Sequence, residues 1–184
     1  GAQKIFYEDG PYFNNLRYIT DIEEPDYTSE EYQDMVDNYI DVLNSGPFYY
    51  RHKKEWQGVL PRSLDDSVLC FYIANAIRDL RGSNSSPRSM LVNMSRFIKV
   101  QRYITEHIEQ FHERTIDEIR FDFNEVSALN KSLPLYVRLE QLWKKHFSHV
   151  QDISFERVIQ KENILNAIDK IKVIVVNGSK QSSA

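Results

Sequence analysis

Residues 60–82, LPRSLDDSVLCFYIANAIRDLRG, constrain this chain more than any other stretch. From Val68 to Ile77 apolar side chains fall on every side of a helical projection, so a helix here has no polar stripe to show to water. It has to be buried between layers of other structure. Ser63 and Asp66 have capping-box spacing at its start, and Arg78, Arg81 and Gly82 supply the cations and the glycine that close a helix C-terminus.

The layers around it are legible as amphipathic helices. Tyr32, Met35, Val36, Tyr39 and Leu43 form one stripe, opened by a Thr28/Glu31 box and stopped by Gly46-Pro47. Phe97, Val100, Ile104, Ile108 and Phe111 form a second, running to about Ile119. Leu135, Leu139, Leu142, Trp143 and Phe147 form a third, with Pro134 in its first turn, and Ser154 caps a fourth that carries Phe155, Val158, Ile159, Ile164, Leu165 and Ile168. Two short segments read as strands: the alternating run at 89–95, and the β-branched run IKVIVVNG at 171–177 bounded by Asn177-Gly178. Several helices separate them, so the pattern predicts parallel neighbours joined by a right-handed crossover. The expected fold is a predominantly helical α/β domain over 60–184. It is preceded by an irregular aromatic, acidic arm and one helix over 1–59.

With 184 residues, 41% of them hydrophobic, the chain is long enough for one cored domain and is not a disordered polymer. The formal net charge is −4, with acids crowded before residue 40, so any nucleic-acid contact has to be local. A single cysteine, Cys70, excludes a disulfide frame and suits a reducing cytoplasm. No apolar stretch reaches membrane-spanning length, and no membrane partner is expected. The tail NGSKQSSA carries no stop signal of a finished fold, and the chain reads as a piece of a larger protein.

The local chemistry centres on Ser95-Arg96, where an expected strand meets an expected helix. Ser95 is the natural N-cap, and the free amides of a helix start together with the fork of donors on Arg96 suit a phosphate. Lys99 and Arg102 follow on the same helix. RHKKEW at 51–56 mixes bases with an aromatic, as nucleic-acid contacts often do and as solvated loops do equally. The P-loop signature GxxxxGK[ST] is absent, as is any Asp-x-Lys or Glu-x-Lys triplet of a two-acid-and-lysine nuclease. DEIR at 117–120 imitates a magnesium-holding motif but belongs to a helix. His146 and His149 lack a third spaced metal ligand, so no metal site is expected.

The runs at 60–82, 89–104 and 171–179, in that order and spacing, resemble the endonuclease Z1 domain family. Members occur within large bacterial and phage proteins related to superfamily-two helicases and implicated in restriction or DNA repair. The resemblance implies that SMLVNMSRF corresponds to helicase motif IV, a strand end of a RecA-like lobe facing a nucleic-acid backbone, with Ser95, Arg96, Lys99 and Arg102 as contacts. Asn93 departs from the histidine usual there. It further implies DNA and an ATPase lobe as partners, with ATP and Mg bound by the larger protein and no cofactor within these residues. Two rivals remain. One is a metal-dependent endonuclease using Glu106, Glu109, Glu113, Asp117 or Glu118; the other is a protein-interaction domain using the tyrosine-rich arm.

Overall fold

A computed structural model describes residues 19–83 and 87–175, and there the chain is helical. In order come α1 (Glu30–Asn38), α2 (Ile40–Ser45), α3 (Arg62–Leu80), α4 (Ile98–Asp122), a 3-10 turn (Ser127–Asn130), α5 (Pro134–His146), α6 (Phe155–Val158) and α7 (Lys161–Ile168). The buried helix is α3, which packs against α5, α6 and α7 while α7 also meets α4. Leu64, Leu69, Tyr72, Ile73 and Ala76 have almost no exposed surface. Its end is a Schellman motif: the Ser83 amide donates to the Arg78 carbonyl and the Gly82 amide to that of Asp79, with Gly82 at φ 79° where a side chain would be strained.

The sheet does not form. Among the described residues there is no β-strand, only an isolated parallel bridge between Pro47 and Val59, so the α/β assignment and the RecA-like lobe with parallel strands are overturned. Residues 89–95 and 171–175 line a common cavity of about 1320 Å³ instead of lying side by side. Without a neighbour to take its amides and carbonyls, neither becomes a strand, and Leu91 and Ile174 stay 82% and 72% exposed. Residues 176–177 of the second run lie outside the described residues, as do 1–18 of the arm.

Local boundaries shift for identifiable reasons. Ser29, not Thr28, caps α1, because Thr28 turns back to Asp26 while the Ser29 hydroxyl accepts the Tyr32 amide. The stripe from Tyr32 to Leu43 is broken at Tyr39, whose extended φ of −131° separates α1 from α2. Ser63 is not the α3 cap. It sits inside the first turn, where its hydroxyl donates to Asp21 and accepts the Thr20 amide, tying residues 19–27 to the helix start. Ser154 does cap, accepting the Arg157 amide, but the expected helix divides into α6 and α7 at Ile159-Gln160.

Polar contacts lock α3 to its neighbours. His107 on α4 bonds Asp65 at 2.8 Å, and Arg138 on α5 bonds Asp66 at 2.7 Å. Deeper in, the Tyr72 hydroxyl meets His112 Nδ1 at 2.6 Å. Burial depresses the His112 pKa below its ordinary value of 6.5, although Glu113 and a hydrogen bond to the Ile171 backbone act the other way. The folded state therefore holds this imidazole neutral, and its stabilising effect is complete above about pH 6.5 and lost as pH falls toward the lower folded value. Urea titrations between pH 7 and pH 5 (about the window a depressed histidine covers) should show declining stability, with a flatter profile for His112→Gln.

Candidate functional site

The loop 47–59 is built around two buried rings, Phe48 and Trp56, which meet edge to face at 5.1 Å. Its base is pinched shut. The Val59 amide donates to the Gly46 carbonyl and the Phe48 amide to that of Val59, and a Cβ on Gly58 would fall 1.9 Å from the Gly46 oxygen. Only glycine permits that approach. The pinch holds His52 inside an aromatic box, with Phe48, Trp56 and Phe97 at 4.8, 6.1 and 5.7 Å.

His52 is 5% exposed and Ser95 7%, and they are bonded to each other. His52 Nδ1 lies 2.8 Å from the Tyr49 carbonyl, which can only accept, so Nδ1 carries the proton. Nε2 is then the acceptor for the Ser95 hydroxyl at 2.8 Å, and Ser95 Oγ in turn accepts the Phe97 amide at 3.0 Å. Gln101 adds a bond to the Ser95 carbonyl at 2.8 Å. The corner before α4 is thereby fixed from both sides. Ser95 does not act as the helix N-cap, which is Phe97; its hydroxyl serves one amide and joins two distant parts of the chain.

Arg96, next to this latch, is exposed at the mouth of a cleft of about 660 Å³ whose walls also carry Arg51 and Asn93. Arg96 lies over the Phe97 ring at 4.9 Å and Arg51 over Tyr27 at 4.5 Å. Lys99 is on the first turn of α4 but is paired with Glu55, and its hydrogen bond holds the Glu55 carboxyl below the usual carboxylate range. Arg102 is exposed one turn further along. Among the described residues neither Arg96 nor Arg102 has a carboxylate partner. The first turn of α4 contains no acid, so Arg96 faces the positive end of the helix dipole unrelieved. Glu24 is an anion beside Tyr50, where it accepts the Tyr50 amide and the Tyr27 hydroxyl.

The acidic candidates are elsewhere. Glu106, Glu109, Glu113 and Asp117 are exposed along α4, spread over about 16 Å at 1.5 Å per residue, while burial, reinforced by Asp122, raises the Glu118 pKa. Among the described residues no group of three or more His, Cys, Asp or Glu is gathered closely enough to hold a metal ion. Nor is any helix there long and apolar enough to cross a membrane.

The sequence singles out Ser95, Arg96, Lys99 and Arg102 and, separately, the run at 51–56; the structure brings Tyr50, Arg51 and His52 into one cleft with Ser95 and Arg96, while Lys99 and Arg102 lie outside its lining. The 43 residues between His52 and Ser95 leave no local periodicity to connect them.

A helical domain with a cationic cleft beside a helix start describes the geometry; its family comes from the match of residues 63–184 to the Z1 domain. The chain belongs to the Z1 domain family. No curated protein and no solved structure matches it.

Ser95→Ala should cost about 1–3 kcal/mol in denaturant unfolding, because it leaves the His52 acceptor and the Phe97 amide unsatisfied in a buried site. A loss below about 0.5 kcal/mol, the range of ordinary surface changes, would show that the latch does not hold the corner.

Proposed function

We propose that the chain is a nucleic-acid-contacting module that grips a DNA phosphate backbone at the cleft beside Ser95 and works inside a larger, helicase-like DNA-processing protein of restriction or repair. The observation that carries this reading is convergence. The basic, aromatic loop 50–56 and the Ser95-Arg96 corner are separate in sequence and share one cleft through the His52–Ser95 bond. The unrelieved Arg96 at the positive end of α4, with Arg102 one turn further along, supplies what a phosphate would neutralise. In a chain of net charge −4 such a local site is the form nucleic-acid contact has to take.

ATP and Mg, in this reading, act in an ATPase lobe outside these residues. The sequence has no P-loop, and the carboxylates of α4 are spread along the helix instead of meeting at one point. The cleft would pass conformational change to that lobe through α4, which begins at Ile98, two residues after Arg96, and reaches the core through Ile104, Ile108 and His112.

Lys99 separates this proposal from a general basic surface. Its charge is already balanced by Glu55, so it should release fewer counterions than Arg96. In a salt series of DNA binding, Arg96→Ala should lower the magnitude of the log K against log salt slope by about one, and Lys99→Ala by clearly less. Binding that is absent at low salt, or a slope indifferent to Arg96, would refute the proposal.

A further inference from the structure

The two arginines of the cleft are not free arms. Each guanidinium carbon sits over a ring, Arg51 over Tyr27 and Arg96 over Phe97, so each group is backed by an aromatic on one side while its residue stays exposed. A guanidinium held this way enlarges a stacking surface, because its free face can receive a nucleobase while its edge donates to phosphate. Tyr50 lines the same cleft. Its neighbours Phe48 and Tyr49 are each 2% exposed, whereas Tyr50 is 64% exposed with its backbone amide tied to Glu24. The fold therefore fixes the backbone of Tyr50 and leaves its ring presented to water.

A duplex hides the faces of its bases in its own stack and offers only phosphates and groove edges. A single strand offers the faces. The cleft volume of about 660 Å³ is in the range of small-ligand pockets, which suits bases entering one or two at a time.

We infer that the cleft takes single-stranded nucleic acid in preference to duplex, with the Tyr50 ring and the stacked guanidiniums of Arg51 and Arg96 against the bases; this rests on the backbone-contact reading above. The Glu24 carboxylate repels phosphates from the Tyr50 side, so the strand runs with its phosphates toward Arg96 and Arg102 and its bases toward Tyr50.

The test is fluorescence anisotropy with labelled oligo-dT and with a duplex of the same length, at one salt concentration, on the wild type and on Tyr50→Ala, Tyr50→Phe and Arg96→Ala. The single strand should bind more tightly. Tyr50→Ala should weaken it by about tenfold and leave duplex binding unchanged, as expected for loss of one stacking ring. Tyr50→Phe should retain the wild-type affinity, and Arg96→Ala should weaken both ligands. Duplex binding that equals or exceeds single-strand binding, or a Tyr50→Ala effect that is absent or the same on both ligands, would overturn the single-strand assignment. If that happened while Arg96→Ala still weakened binding, the backbone-contact reading would survive alone; failure of both ligands to bind would remove both.

Discussion

A helix without a polar side has to be enclosed, and in this protein that requirement organises everything else. The residues of α3 from Leu64 to Ile77 are covered by α5, α6 and α7, with α4 reached through the Tyr72–His112 pair. Hydrophobic burial holds these elements together but does not choose their angles. The choice is made at the helix start, where Asp65 and Asp66 bind His107 of α4 and Arg138 of α5 in partly buried, geometrically demanding contacts. These side chains set the direction of α4, and with it the place where α4 begins. What remains of α3 faces the cavity walled by residues 88–95 and 170–175.

The second organising contact is the bond between His52 and Ser95. It is a hydrogen bond in a buried aromatic box, where leaving either partner unmet is costly, so it behaves as a latch. Its consequence is electrostatic. Closing it brings a loop rich in bases against the first turn of a long helix whose own charges already disfavour the dipole. Arg51 and Arg96 both line one cleft, each beside a ring. An acidic protein thereby acquires a small cationic face without changing its net charge.

The Z1 domain match begins at Ser63, so Ser95, Arg96, Lys99 and Arg102 lie within it, while Tyr50, Arg51 and His52 precede it. The cleft is therefore shared between the matched region and the segment before it. Residues 93–97, which lead into α4, lie on the matched side, and the aromatic, basic loop that supplies Phe48, Tyr50, Arg51 and His52 lies on the other.

Much of the helical architecture was legible from periodicity alone. The burial of the run around Cys70, the stripes of α4 and α5, Pro134 at a helix start and Gly82 at a helix end all depend on contacts a few residues apart, which sequence records directly. The same locality identified Ser95 and Arg96 as a polar corner before a helix. Strands were misread because β-branched alternation describes a side-chain pattern, whereas a strand exists only when another segment takes its hydrogen bonds, and residues 89–95 and 171–175 have a cavity between them. Tertiary structure alone decided that Ser95 would bond His52 rather than cap α4, that Glu55 would neutralise Lys99, and that Tyr50 would stand exposed beside Arg96. Each of these joins groups more than 40 residues apart, and distance along the chain carries no trace of proximity in space.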